Sequence, residues 1–393
     1  MGSDLPFLNL AAPGFSTRGP EVLAARDHHW CARTPFGLAI LHHRPAGQLL
    51  RDRRLRQGSH AWPESQGLTG SFTDFWQRSI ISCEGTEHRA LRELAQYGLA
   101  PEVIDTLVPA FERIADDLIA AQCAGTAFEF VADFSEPFAG RAIALLLGLP
   151  ESDAPVLASD AVTLGFAMGV DARAHQQEVN AACDRLIGLA NRLLDKAAST
   201  PKEAGFVGRI LARAGRMGHC DRQALVDLIV IAIFGGVDTT RAQLAFAVAL
   251  FIKHPGEWAA LRREPGLIPN AIEEVIRTSP TTTWATREAV ADFVFDGVTI
   301  AKGETLHILV HATGTDPQVA RAGFNVSRRQ KMHFGFGGGA HHCLGQYVAR
   351  SDMAAALRRM LASWSGFEAA GPATWLPETG NTSPVTLPVR ALG

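Results

Sequence analysis

The sequence predicts a mainly α chain with a minor β region (class α+β), organised as one domain over residues 1–393. Three observations predict it. Apolar residues recur at helical spacing along most of the chain, as in Leu91, Leu94 and Ala95 and then Phe111, Ile114 and Leu118. Strand signals are confined to one short early run and to residues 284–300. No repeat, low-complexity tract or linker marks a boundary, and 47% hydrophobic content suffices for a deep core.

After a lead rich in proline and glycine, residues 36–42 are short and apolar, which reads as an early strand, and residues 44–57 are mixed. Residues 87–123 carry the helical period, with breaks expected at Pro101 and Pro109. Residues 139–147 form a further helix stopped by Gly148-Leu149-Pro150, and helices over 156–168 and 176–197 follow. A long helix is expected over Arg222–Lys253 with Asp221 as N-cap, then another over 270–277. Asp296-Gly297 supplies a turn inside the strand-like stretch 284–300. A final helix runs on from Cys343 through Met353, Leu357 and Leu361.

Composition narrows the classes. A net charge of −3 argues against nucleic acid as a general partner. The six cysteines (Cys31, Cys83, Cys123, Cys183, Cys220 and Cys343) show no disulfide framework, which fits a reducing cytoplasm. Residues 1–13 lack the basic and apolar regions of an export signal. The longest apolar run, residues 228–237, is closed by Asp227 and Asp238 and is too short to cross a bilayer, so no membrane partner is expected.

Chemistry concentrates in two places. Phe336-Gly337-Gly338-Gly339-Ala340-His341-His342-Cys343-Leu344-Gly345 is a glycine-rich loop ending in one cysteine at a helix start. A thiolate there suits haem iron, because it pushes electron density toward O–O cleavage, while the glycines let the loop run close under a flat macrocycle. A structural cysteine and a zinc site are the alternatives, but three adjacent side chains diverge too far to share one tetrahedral ion. The second place is Gly235-Gly236-Val237-Asp238-Thr239-Thr240, inside the long helix. Paired glycines there cost about 1 kcal/mol each against alanine. They admit a cofactor or O2 to the backbone, and an acid beside an alcohol can relay protons. The alternative has Thr239 bonding back to a carbonyl one turn earlier and Asp238 simply ion-paired.

The cysteine loop, Phe-x-x-Gly-x-His-x-Cys-x-Gly, resembles the haem-binding loop of the cytochrome P450 family, and residues 235–240 resemble that family's oxygen-binding groove. The resemblance implies a P450 fold with haem b (iron protoporphyrin IX) between the long central helix and the helix after the cysteine, and O2 as co-substrate. Cys343 would be the metal ligand, with Phe336, Gly345, Gly235 and Gly236 against the cofactor. Thr239 would stabilise activated oxygen and Asp238 would gate protons. His88, Arg92, Arg287 and His341 fall at the positions that hold the propionates. Glu274 and Arg277 match the family's Glu-x-x-Arg, and Phe324 and Arg328 its meander, with Glu274, Arg277 and Arg328 as scaffold. Gly314-Thr315 in place of the common Asn-Arg, and a segment about two residues short before Phe324, put the choice of electron donor in doubt.

Phe75, Trp76, Ile81, Ile231, Phe234, Thr283 and Ala285 match the family's cavity walls. Their character suits a small or medium, neutral, partly aromatic or terpenoid-like organic substrate. The activity implied is monooxygenation (hydroxylation, O-demethylation or epoxidation), with electrons from a separate ferredoxin or flavodoxin. Arg328, Arg329, Lys331 and Arg350 would offer such a donor a basic docking patch. The rival readings are oxidative aryl coupling or crosslinking at the same haem, and a haem-binding sensor without turnover.

Overall fold

The computed structural model describes residues 5–169, 171–199, 205–218, 221–320, 323–329, 333–378 and 380–393. Residues 1–4 of the lead, Cys220 and Lys331 lie outside the described residues. Arg222–Lys253 is one uninterrupted helix, and the Asp221 carboxylate caps it by accepting the Gln223 N–H at 3.2 Å. It is apolar all round, the pattern of a helix that runs through a core. By length and composition it would also pass for a membrane span, yet most of its apolar stretch is buried inside the fold. Helices Glu136–Leu147, Ala154–Gly165 and Gln176–Ser199 pack on it. The first of these ends where Gly148 takes a left-handed φ of 70°, as the Gly-Leu-Pro stop predicts.

Pro101 opens a helix over Pro101–Ala120, but Pro109 lies within it and breaks nothing. The reason is tertiary. Ile104, Phe111 and Ile114 are buried, and the helix packs along the cysteine-loop helix, Gln346–Ser363. Tyr347 Oη donates to Asp105 at 2.7 Å, Arg358 pairs with Glu112 at 2.8 Å and Arg359 with Asp116 at 2.6 Å. These contacts along its length compensate the one hydrogen bond that proline cannot donate.

A five-stranded sheet has the order Cys31–Thr34, Gly37–Ile40, Thr305–Leu309, Trp284–Ala289, Leu55–Gln57. The strand expected at 36–42 is there, paired parallel so that Leu38 opposes Leu306 and Ile40 opposes Ile308. Asp296 and Gly297, at φ 43° and 80°, turn the hairpin Phe293–Phe295/Val298–Ile300. Helices Pro20–His28, Ser71–Arg78 and Gly205–Met217, the strand Thr305–Leu309 and the sheet of Ala127–Glu129, Pro388–Leu392 and Gly366–Ala369 carry no clear signal in the sequence pattern.

Two consecutive carboxylates on helix Ile268–Thr278 fasten the cysteine loop to the rest. Glu274 takes a bidentate pair from Arg277 (2.7 Å and 2.7 Å), both side chains 1% exposed. It also accepts Arg328 at 2.8 Å and the Asn325 N–H at 3.0 Å. Arg277 gives two further N–H groups to the Gly314 and Gly323 carbonyls at 2.9 and 2.8 Å. Glu273 binds His333 at 3.1 Å and Arg350 of the cysteine-loop helix at 2.5 Å. Burial alone would raise its pKa, but the bonds from His333 and Arg350 outweigh that and hold it at about 2.

Candidate active site

A cavity of about 610 Å³ lies between the central helix and the cysteine loop. Its floor is built by closure of that loop: the Cys343 N–H donates to the Phe336 carbonyl at 2.8 Å, and Gly337 N–H to Phe334 at 2.8 Å. Gly339 has a φ of 67°, and a Cβ there would sit 2.2 Å from the Leu50 carbonyl oxygen, so no other residue fits that crossing. Phe336 lies under the Arg350 guanidinium, 4.3 Å from its ring centroid. Gly345 caps the helix that follows and lines the cavity with Cys343. The thiol's pKa is raised, first by burial. Backbone N–H groups of Gly345 and Gln346 and the charges of Arg350 and Arg92 oppose that rise.

Gly235, Gly236 and Thr239 form the roof. The two glycines divide the work. A Cβ on Gly235 would meet nothing within 4 Å, whereas one on Gly236 would strike Ile143 Cδ1 at 2.3 Å. Gly236 therefore serves helix packing as well as the cavity, which the cofactor reading alone did not anticipate. Gly235→Ala is expected to stabilise the polypeptide by about 1 kcal/mol through helix propensity. Gly236→Ala is expected to destabilise it by about 1–3 kcal/mol through overpacking. Thermal unfolding of the two variants checks the opposite signs.

Thr239 Oγ1 donates to the Gly235 carbonyl at 2.6 Å, one turn back, and faces the cavity. Asp238 does not line the cavity. Its carboxylate turns aside into a buried pair with Arg241 at 2.8 Å and accepts Asn381 Nδ2 at 3.3 Å. A helix turns about 100° per residue, and here that step carries the Asp238 side chain away from the cavity toward Arg241. Arg241 was legible in principle, three residues on from Asp238. Asn381 comes from a distant turn and gave no signal.

Four basic groups gather at one edge. Arg287 donates to the Gly338 and Leu50 carbonyls at 2.8 and 3.3 Å, makes no ion pair among the described residues, and burial lowers its pKa to about 10. Arg92 lines the cavity without a hydrogen bond or ion pair among the described residues. His88 and His341 lie with ring centroids 4.1 Å apart, tilted by 37°, and His341 Nε2 lies 3.1 Å from Glu84. Burial and the neighbouring His88 bring the His341 pKa to about 4, so that ring is neutral at pH 7. Enclosed guanidinium groups without carboxylates are what a ligand carrying two carboxylates satisfies. The sulfur with its N–H donors and the side-chain-free roof at Gly235 fit a flat macrocycle with a metal at its centre. The residues present thus fit haem.

Trp76, Ile81, Ile231, Phe234 and Ala285 line the cavity as the sequence reading expects. Phe75 and Thr283 do not. Phe75 is fully buried in the core, edge-on to Phe72, and Thr283 Oγ1 is clamped to the Gly380 carbonyl at 2.6 Å. Thr283 stands just before the strand, which begins at Trp284. The basic docking patch is also reduced: Arg328 and Arg350 are engaged by Glu274 and Glu273, while Arg329 is exposed.

Known proteins resemble this chain along nearly its whole length. A family model described as Cytochrome P450 matches residues 168–376. Luteothin monooxygenase of Streptomyces thioluteus is 33% identical over 395 residues, covering 99% of this chain and 96% of that protein. Nocardicin C N-oxygenase of Nocardia uniformis subsp. tsuyamanensis is 28% identical across 96% of this chain and 94% of its own. The solved structure of epothilone D-bound P450epoK superposes with a TM-score of 0.88 at 21% identity, over 97% of this chain and 100% of that one. P450BioI in complex with a hexadec-9Z-enoic acid-ligated acyl carrier protein gives 0.87 at 24% identity, over 94% and 97%. At those identities the two structures speak for the fold alone.

Proposed function

The chain belongs to the cytochrome P450 family and is a monooxygenase of it, and from that premise we propose that it inserts one atom of O2 into a neutral organic substrate of small or medium size. The observation that carries the proposal is the half-buried Cys343 on the floor of a cavity whose roof presents Gly235 and Thr239. Cys343 would hold the iron of haem b, and Arg92, Arg287, His88 and His341 would hold its carboxylates. Bound haem supplies the activation of O2, with the thiolate's donation favouring O–O cleavage.

The chain's own residues orient the substrate and control protons. Thr239 keeps its proton on Oγ1, directed at the Gly235 carbonyl and facing the cavity. Asp238 acts from behind it: its shorter contact is the buried Arg241 pair, and the longer one, from Asn381, is the contact whose release frees a carboxylate oxygen. Apolar and aromatic walls exclude water. The whole chain acts as one catalytic domain in the cytoplasm, and a separate ferredoxin or flavodoxin delivers electrons.

Turnover with isotopically labelled O2 tests the reading. One labelled oxygen atom in the product supports it. Loss of two hydrogens with no oxygen gained would mean ring coupling instead. Thr239→Ala is expected to keep haem yet lower product formed per NADH consumed by at least about tenfold, the missing electrons leaving as peroxide. Unchanged coupling in that variant removes Thr239 from proton control.

A further inference from the structure

The cavity has a second lobe that the oxygen chemistry leaves unused, and strand Trp284–Ala289 divides it from the first. Arg287 points to the cysteine loop, where it meets the Gly338 carbonyl, and Ala285 shares that face by the alternation of a strand. Trp284, Thr286 and Glu288 take the opposite face. So do the residues across the ladder from them, His307 opposite Thr286 and Thr305 opposite Glu288. All five line the same cavity as Cys343 and Thr239. The space therefore wraps from the cysteine side of this strand onto its outer face. A macrocycle seated on Cys343 and reached by Arg287 lies on the inner face, which leaves the outer lobe to the substrate.

Aromatic rings build that lobe. Trp284 stands edge-on to His307 with centroids 5.5 Å apart, His307 lies 6.2 Å from Phe36, and Phe36 stands edge-on to Trp62 at 6.4 Å. The four rings form a continuous line, and Phe36 and Trp62 keep part of their surface uncovered. The Trp62 indole N–H donates to the Ala167 carbonyl at 3.1 Å, which fixes its ring. Among the described residues the lobe offers a ligand no unpaired charge. Burial lowers the His307 pKa to about 4, so that ring is neutral at pH 7, and Glu288 is paired with Arg56 at 2.7 Å. Rings set edge-on or tilted to one another receive a further ring in the same geometry, and prefer it to an aliphatic group of equal size.

Resting on the monooxygenase reading, we infer that the outer lobe is a binding subsite for an aryl group at one end of an extended substrate, whose other end lies between Cys343 and Thr239. The subsite fixes where oxygen enters: at the end remote from the ring.

The test uses haem-loaded protein and imidazoles carrying an alkyl tether of graded length that ends in phenyl or, as control, in cyclohexyl. The imidazole nitrogen binds the ferric iron and is read from its difference spectrum, so the tether serves as a ruler. Wild type is expected to prefer phenyl over cyclohexyl by at least about fivefold at one tether length, and to show no preference at shorter ones. Trp284→Leu and Phe36→Leu should each bring that ratio to about two or less. Unsubstituted imidazole and the carbon monoxide spectrum report whether the haem site is intact in each variant. If neither variant takes up haem, the wild-type length profile decides alone. Equal affinity for phenyl and cyclohexyl at every length overturns the inference, as does a preference that survives both variants. A phenyl preference independent of length places the ring beside the iron and overturns it too. Absence of an imidazole spectrum with every probe, the unsubstituted one included, sinks the enzyme reading itself, and this inference with it.

Discussion

Cys343→Ala is expected to abolish the strongly red-shifted Soret band that a thiolate-ligated haem gives on reduction under carbon monoxide, and with it all monooxygenase activity. The loop that carries the sulfur is closed by backbone bonds, Cys343 N–H to Phe336 and Gly337 N–H to Phe334, which alanine leaves in place. The variant should therefore fold, and the loss reads on the ligand and not on the scaffold. Cys343→Ser sharpens the result, since an alcohol keeps the shape but not the soft, strongly donating sulfur. An unchanged spectrum in either variant would remove Cys343 as the residue that holds the iron.

Glu274→Ala should be the most damaging change away from the cavity. It strands Arg277, 1% exposed, without its carboxylate, and at the same time releases Arg328 and the Asn325 N–H. Breaking a buried pair from one side costs about 3–5 kcal/mol, because the remaining charge stays out of water. That is a large share of a typical domain's stability. Glu274→Gln keeps the shape and one acceptor, so it should fall between wild type and alanine. Denaturant midpoints, with haem content measured alongside, check the order. Equal stability of all three would show that residues 323–328 are held by other means.

The two chemical centres were legible because each rests on local sequence. Five fixed positions across residues 336–345 specify the loop, and a glycine pair inside an otherwise apolar helix is hard to explain without a cavity. What failed was orientation. Phe75 and Trp76 are neighbours in sequence, and only the packing of their short helix decides that Trp76 faces the cavity while Phe75 joins the core. Thr283 fell to the same kind of error, since the turn that clamps it comes from Gly380, almost a hundred residues on. Asp238 was found as a residue, but its direction was set by Arg241 and Asn381. Pro109 was read as a break because local rules say so, and packing along the whole helix overruled them. Single strands such as Thr305–Leu309 are too short to announce themselves, and they gain meaning only from their partners.

The parallel pairing of Leu38 with Leu306 has a consequence for biosynthesis. The strand at the start of the chain waits for a partner some 270 residues later, and the strand bearing Arg287 is stitched between that late partner and Leu55–Gln57. A nascent polypeptide emerging from the ribosome has helices to pack long before it can assemble this ribbon. Pigment capture must therefore wait until almost the entire message has been translated. Chains released early should be colourless even where most of their helices have formed.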